Sequence, residues 1–560
     1  MGADAVLFET ARQWLAADPD RETVAELSAL LAEAEAGQRD ATAELADAFD
    51  GALQFGTAGL RGRLGPGSNR MNRVVVARAA AGLAAYLLAN SESATAGGNV
   101  AGRVVVGYDA RRNSEAFARD TARVMAGAGI TAMLLPQPLP TPVLAFAVRE
   151  LGCDAGVMVT ASHNPAEDNG YKVYLGDGSQ IVPPADAEIS ACIAAVGAPG
   201  SIPTSDAYRT LDGAVLNSYL ARAVSLLGSG PRNVSVVYTA LHGVGGEVFM
   251  RAVRQAGFDP PAKVAVQFEP DGRFPTVTFP NPEEPGAMDL SLAEARARGA
   301  DLIIANDPDA DRCAAGIRDG DGYRMLTGDE VGALLGWWIV ERGRRDGAPA
   351  TGVYAQSIVS GTLLERIAAA AGLSYVTTLT GFKWIAKVPD LRFGYEEALG
   401  YCVDPTAVRD KDGITASLLI LEMVAALKAE GRGPQDVLDE LAGRFGLYAT
   451  SQLAVRVSDL DLIGAAMARL RANPPGALAG RDVMQIDDLE KGVDGLPPTD
   501  GLRFTLAGAR VIVRPSGTEP KLKCYLQVAV PVRGGIAEAR ATASSELAAL
   551  RTGMAELLAL

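Results

Sequence analysis

Short β-branched and apolar runs alternate along this chain with longer Ala- and Leu-rich stretches. Val104-Val105-Val106 precedes GYDARRNSEAFARDTARVMAGAG, a polar loop and then a helical pattern. Val234 to Val237 precedes YTALHGVGGEVFMRAVRQAG, Leu302 to Ala305 precedes NDPDADRCAAG, and Val353-Tyr354-Ala355 precedes QSIVSGTLLERIAAAAG. Strand, polar loop and helix in alternation predict parallel α/β layers. In such sheets ligands bind beyond the carboxyl ends of strands, so the polar loops are where chemistry is sought. The tail at 502–530 reads strand, loop, strand, and 535–560 is an Ala/Leu/Glu-rich helical pattern. Breaks fall at GSIPTSDAYRT near 200–210, at 327–330 before EVGALLGWWIVERG, and at 445–455. The expected domains are α/β at 1–207, 208–328 and 329–447, then a smaller α+β domain at 448–560. No tandem repeat of solenoid type is visible.

Composition narrows the class. The 560 residues fit about three to five domains of ~100–200 residues each. The longest apolar stretches, such as Ala333-Leu334-Leu335 leading to Trp337-Trp338-Ile339-Val340, stop short of the roughly 18 residues of a membrane span. The N-terminal residues MGADAVLFETARQWL lack a basic n-region, and Val6 stands where a myristoylation signal has Ser or Thr. A net charge of −15 argues against a nucleic-acid partner, while leaving room for local Arg and Lys clusters that bind small anions. Cys153, Cys192, Cys313, Cys402 and Cys524 are scattered and form no C-x-x-C pair. Two histidines make a His-rich metal centre a poor fit. The expectation is a soluble, reduced, cytoplasmic protein.

Several loops carry candidate chemistry. In VTASHNPAEDNGYKVY (159–174) an apolar run ends at Ser162, beside His163. No G-x-S-x-G elbow surrounds this serine, which leaves a nucleophile, a phosphate carrier or a turn residue. In IIANDPDADRC (303–313) the alternating Asp307, Asp309 and Asp311 can turn three carboxylates to one point, a donor set suited to Mg²⁺. An EF-hand does not fit, because Arg312 and Arg318 stand where Gly and Glu are needed; a solvated acidic turn is the plainer alternative. VRPSGTEPKLKCY (513–525) gathers Arg514, Ser516, Gly517, Thr518 and Lys523, a fork-shaped cation, two hydroxyls, free backbone and an ammonium suited to phosphate, or an ordinary hairpin turn. QFGTAGLRGRLG (54–65) places Arg61 and Arg63 in a glycine-rich loop without Walker spacing. Glu396 and Glu397 in GYEEALGY could accept from sugar hydroxyls or simply favour a helix start. Together these loops suit phosphoryl transfer to an anionic, hydroxylated substrate.

TASHNP, DPDADR, GYEEA and RPSGT, in that order, resemble the α-D-phosphohexomutase superfamily, which includes phosphoglucomutases and phosphomannomutases; the likeness runs from about residue 50 to 530. The resemblance implies four domains around a central cleft, three related α/β domains with mixed sheets and a C-terminal domain with a phosphate loop. It implies that Ser162 is phosphorylated in the resting enzyme and, with Asp307, Asp309 and Asp311, holds Mg²⁺. Arg61 matches the arginine near the phosphoserine, and Lys172 the proposed general base, with His163 as the other candidate. His242 is expected to shape a loop. Arg514, Ser516, Gly517, Thr518 and Lys523 match the distal phosphate loop. Glu396, grouped with Gly381, Lys383 and Arg312, is the expected sugar-contacting set. The implied reaction passes phosphate from Ser162 to a sugar monophosphate, forming a bisphosphate that turns end for end; a catalytic sugar bisphosphate such as glucose 1,6-bisphosphate primes it.

One departure bears on substrate. Many bacterial members have G-E-x-S-G-H in the sugar loop, whereas this chain has Ala398 in the serine position and Tyr401 near the histidine position. GYEEALGY, VRDKDG and TLTGFKW are similar to a branch with phosphopentomutase-like and glucose-1,6-bisphosphate-synthase-like members, besides phosphoglucomutases. Glucose, mannose and pentose therefore remain alternatives, as do monomer and dimer. A phosphosugar-binding regulator without turnover and a metal-dependent phosphatase are the competing classes. The intact serine, aspartates and Arg514 loop argue against the regulator, and exclusion of water argues against the phosphatase.

Overall fold

A computed structural model describes residues 3–56, 59–90, 102–457, 461–516 and 521–558. The chain forms two compact units, Met1–Ser229 with Ser235–Cys313 and Asp404–Leu418, and Gly230–Val234 with Ala314–Val403 and Leu419–Leu560.

The first unit begins with helices Ala3–Ala17, Arg21–Glu35 and Arg39–Ala48. They share a small core of Ala11, Leu27, Leu31 and Leu45. Asp20 caps the second helix by accepting from the Glu22 amide, one of the donors a helix start leaves open. The expected first domain, 1–207, includes this segment.

A six-stranded sheet follows, in the order Leu60–Arg63, Asp168–Leu175, Ala155–Val159, Arg103–Tyr108, Thr131–Leu134, Arg209–Thr210. The first two pairings are antiparallel and the rest parallel, so the sheet is mixed. Val104, Val106, Val157 and Val159 pack with Leu83 and Phe117 of the helices Arg73–Ala89 and Ser114–Gly127. Ala155–Val159 is buried at every position, which is why it reads as a continuous apolar run rather than an alternation. Further along, Val236–Thr239 lies between Ala262–Lys263 and Leu302–Asn306, parallel to both.

In the second unit the strands Ser374–Thr378, Val353–Ser357, Leu391–Glu396 and Gly400–Cys402 form a mixed sheet in that order, its last pairing antiparallel. The helix Gly328–Arg345 starts at a capping box, in which Thr327 and Glu330 satisfy each other's backbone amides. The C-terminal domain is a six-stranded antiparallel sheet, with Leu447–Arg456 at one edge and Ala477–Leu478 at the other. The helices Asp461–Ala472 and Ile536–Leu558 contribute Met467, Leu470, Leu550 and Met554 to its core, beside Phe504, Val511 and Leu526. The chain thus has three α/β domains and a C-terminal α+β domain, the class expected from the alternating pattern. Among the described residues no helix is long and apolar enough to cross a membrane.

Candidate active site

The buried strand Leu302–Asn306 delivers the carboxylate loop. Asp307, Asp309 and Asp311 are all buried, and one oxygen from each lies within 4.8 Å of the others. Ala310 adopts a left-handed backbone, φ 53°. Asn306 pins the loop, accepting from the Tyr238 hydroxyl at 3.0 Å and donating to the Arg312 carbonyl at 2.7 Å.

Crowding three carboxylates has electrostatic consequences. Burial, with Asp309 and Asp311 nearby, pushes the Asp307 carboxyl up to about 8. Burial acts the same way on Asp309 and Asp311, but Lys172, joined by the Thr141 hydroxyl at Asp309 and by Lys411 and Arg312 at Asp311, outweighs it, and both lie below the usual carboxylate range. Lys172 Nζ donates to Asp309 Oδ2 at 2.8 Å and to Asp311 Oδ2 at 2.9 Å. Lys411 Nζ lies 3.2 Å from Asp311 Oδ2, and the Thr141 hydroxyl donates to Asp309 Oδ2 at 2.7 Å. Asp309 Oδ1 and Asp311 Oδ1 are buried and have no hydrogen-bond partner among the described residues. Leaving such oxygens without a donor is costly, and a small divalent cation is the group their chemistry fits.

Ser162 sits at the end of the buried strand Ala155–Val159, in a left-handed conformation with φ 52°. Its amide donates to Thr160 Oγ1 at 2.9 Å. Its hydroxyl donates to Asp307 Oδ2 at 2.7 Å and accepts from Arg312 Nη1 at 2.8 Å. His163 Nδ1 is 3.4 Å from the same hydroxyl and accepts from Arg312 Nη1 at 2.5 Å. Arg61, on the strand paired with the one bearing Lys172, donates to Asn164 Oδ1 at 3.2 Å. Burial and the neighbouring Arg312 lower its pKa. Ser162, His163, Arg61, Lys172, Arg312 and the three aspartates are therefore brought together within the first unit.

The structure bears on two further expectations. A lysine acts as a base only as the neutral amine, which a lowered pKa favours. Burial does press it down, but Asp309 and Asp311 outweigh this and raise it. Arg312, grouped with the sugar contacts, instead has its guanidinium on the Ser162 hydroxyl and on His163. His242 is a loop residue, as expected: φ is 60°, its amide donates to the Gln267 carbonyl at 2.8 Å, and its Nε2 lies 2.8 Å from Thr276 Oγ1.

Sequence reasoning missed Arg111. Its buried guanidinium donates to the carbonyls of Ser162, Asn164 and Pro165 at 2.6 Å each and of Asp168 at 3.1 Å, clamping the serine loop. Asp109 pairs with it at 3.3 Å, and Phe274 lies under its guanidinium. Thr141, Lys411 and Asp410 were missed as well. Asp410 Oδ2 accepts from Tyr174 and Gln180 at 2.7 Å each, and its Oδ1 lies 3.2 Å from Lys411. The quoted run VRDKDG held two of these residues, with nothing in its spacing to link them to Asp311.

The remaining candidates lie in the second unit. Glu396 ends the strand Leu391–Glu396 and pairs in register with Gly400, and Glu397 opens the turn between these antiparallel strands, so neither glutamate starts a helix. Glu397 is buried and accepts from the Ser357 and Ser360 hydroxyls at 2.9 Å each. Gly381, with φ 108°, precedes the helix Phe382–Ile385 that carries Lys383. Arg514 and Lys523 are register partners on adjacent strands, and the Ser516 amide donates to the Lys521 carbonyl at 2.8 Å. Gly517 and Thr518 lie outside the described residues.

Family models of phosphoglucomutase/phosphomannomutase match the chain in order, their α/β/α domains I, II and III at 52–198, 217–321 and 327–445 and their C-terminal domain at 453–531. The chain is 48% identical over 466 residues to a probable phosphomannomutase of Haemophilus influenzae, covering 81% of this chain and 92% of that one. It is 35% identical over 562 residues to a probable phosphoribomutase of Schizosaccharomyces pombe, covering 93% and 94%. Among solved structures, a putative phosphomannomutase from Thermus thermophilus superposes with a TM-score of 0.70 at 25% identity, over 91% of this chain and all of that one.

Proposed function

Because the chain belongs to the phosphoglucomutase/phosphomannomutase family of the α-D-phosphohexomutase superfamily, and is an isomerase of the phosphomutase type, we propose that it moves a phosphoryl group between C1 and C6 of a hexose phosphate through phosphorylated Ser162. The observation that carries this reading is the Ser162 hydroxyl, 2.7 Å from Asp307 Oδ2 and 2.8 Å from Arg312 Nη1. A hydroxyl between a carboxylate of a metal-type cluster and a guanidinium suits an oxygen that carries phosphate.

In the first half-reaction the bond from phosphorus to Ser162 Oγ breaks, and a bond forms to the free hydroxyl of a sugar monophosphate. The resulting bisphosphate turns end for end and returns its other phosphate to Ser162. Arg61 and Arg312 offset the negative charge spread over the phosphoryl oxygens. Asp307, Asp309 and Asp311, with the serine's phosphoryl oxygen, would hold Mg²⁺, which when bound supplies positive charge beside the transferring group. Lys172, an ammonium while it bridges Asp309 and Asp311, would take the proton of the sugar hydroxyl only once a cation draws those carboxylates away; His163 is the alternative base. Arg514, Ser516, Gly517, Thr518 and Lys523 grip the non-reacting phosphate, and Glu396, Gly381 and Lys383 take the sugar hydroxyls. Glucose 1,6-bisphosphate or an equivalent restores phosphate to a serine that has lost it. The free, largely buried cysteines support a cytoplasmic setting.

A second reading, phosphopentomutase or bisphosphate synthase on the same scaffold, is favoured by the likeness to a phosphoribomutase over 93% of the chain. Coupled assays with glucose 1-phosphate, mannose 1-phosphate and ribose 1-phosphate, with Mg²⁺ and catalytic sugar bisphosphate, separate the two. Hexose phosphates are expected to turn over fastest. A ribose preference selects the second reading, and no turnover of any substrate overturns both. Intact-mass analysis should find a phosphoryl group on the wild-type protein and none on Ser162→Ala, whose turnover falls by about a thousandfold or more.

A further inference from the structure

The N-terminal helices lie outside the family's domain I match, which begins at residue 52. The third helix grips the loop that follows the strand of Arg61. The Asn69 amide donates to the Ala48 carbonyl at 3.0 Å, and Asn69 Nδ2 donates to the Asp47 carbonyl at 3.1 Å. Gly67 leaves no room for a side chain, since a Cβ there would lie 2.3 Å from the Ala48 carbonyl oxygen. The Arg70 side chain is 7% exposed, and its guanidinium bridges Asp47 and, at 3.4 Å, Glu44. Arg63, two residues past Arg61, pairs with the same Glu44 at 3.2 Å. A second grip comes from the start of the second helix, where Glu22 takes Arg112 at 2.9 Å. An open cleft lined by Thr23, Glu26, Arg63, Arg112 and Glu167 separates the two grips.

Both gripped segments touch the serine loop. Arg61 reaches Asn164, Leu64 donates to the Glu167 carbonyl at 2.7 Å, and Arg111, the neighbour of Arg112, holds four carbonyls of the loop. We infer that the three-helix layer is a brace for the phosphate-carrying loop, with Arg70 as the positioning residue that sets the strand of Arg61 against it. The pairs of Arg63 and Arg112 are largely exposed and add little by themselves. Arg70 is enclosed and cannot move without moving the loop it stands on. The catalytic consequence rests on the mutase reading; the mechanical one does not.

The test compares Arg70→Ala and Arg70→Lys with Leu550→Ala, a core change in the other unit chosen as a control for lost thermal stability. Two readouts are needed: kcat against KM, and amide hydrogen exchange of residues 160–168, where several amides are hydrogen-bonded. Arg70→Ala is expected to lower kcat about tenfold with KM within about twofold, since small misplacements at a reacting centre act mainly on rate. Exchange across 160–168 should quicken, and Arg70→Lys should recover most of both losses. Unchanged exchange at 160–168 in Arg70→Ala would overturn the brace. So would a fall in kcat no larger than that of Leu550→Ala. If the wild-type protein turns over no sugar phosphate, the mutase reading fails and the exchange experiment alone decides the brace.

Discussion

Ser162 has a left-handed backbone that costs a non-glycine residue about 1–2 kcal/mol, and the fork of Arg111 holds it there through the carbonyl oxygens of Ser162 itself and of Asn164. Arg111→Lys keeps the charge but loses the fork. Its kcat should fall about 10- to 100-fold and its stability by roughly 2 kcal/mol, read by steady-state kinetics and urea unfolding. Wild-type values for both would remove the clamp from the account. Asp309→Ala should lose Mg²⁺-dependent turnover while its circular dichroism stays native; an unchanged Mg²⁺ titration would contradict the cluster's assignment. Ser162 and the three aspartates were legible because each sits just past an apolar run, in a spacing with few other uses. Arg111 was not, since its partners are backbone oxygens that no side-chain pattern marks. Lys411 escaped for a different reason: about a hundred residues of chain separate it from the carboxylate it neutralises, and one sequence alone shows no such pairing.

At the scale of elements, the alternating strands and helices of the α/β domains were readable because central strands such as Ala155–Val159, Val236–Thr239 and Leu302–Asn306 are buried on both faces and stand out as continuous apolar runs. The antiparallel tail was readable from the two apolar runs on either side of PSGT. The N-terminal helices are not marked off in the sequence from the first domain, because their apolar face is made largely of Ala and Leu, with no break in composition. A helix start, one of the two readings of Glu396 and Glu397, is excluded by the strand pairing of Glu396 with Gly400; glutamate favours helix starts as well, so composition alone leaves both readings open. Gly59 shows how close these elements run. It has φ 78°, and a Cβ would lie 1.8 Å from the Tyr171 carbonyl oxygen, next to Lys172. Gly59→Ala should therefore destabilise the first unit by about 3 kcal/mol or more, seen as an early thermal transition. A melting curve superimposable on the wild type would show that the strand can shift aside.

For the whole molecule, a cation held by the buried carboxylates would tie stability to its concentration. Mg²⁺ at about 100 times its Kd should stabilise the folded protein by about 2.7 kcal/mol, because it would bind the assembled cluster and not the unfolded chain. Thermal melts with and without Mg²⁺ check this, and the shift should vanish in Asp309→Ala. An equal shift in that variant would place the binding elsewhere.

The first unit is also discontinuous: Asp404–Leu418 joins it only after the chain has built most of another domain. Lys411 therefore leaves the ribosome about 100 residues after Asp311, a delay on the order of 5–20 s at ordinary synthesis rates. Throughout that interval the nascent carboxylate loop has Lys172 as its near ammonium, and Tyr174 and Gln180 wait for Asp410. The amino-terminal half is thus synthesised before it can close. Stalled chains ending soon after residue 313 should be cut readily by protease within their first 300 or so residues, and chains carried well past 418 should resist, a span over which a nascent-chain chaperone has its opportunity to act.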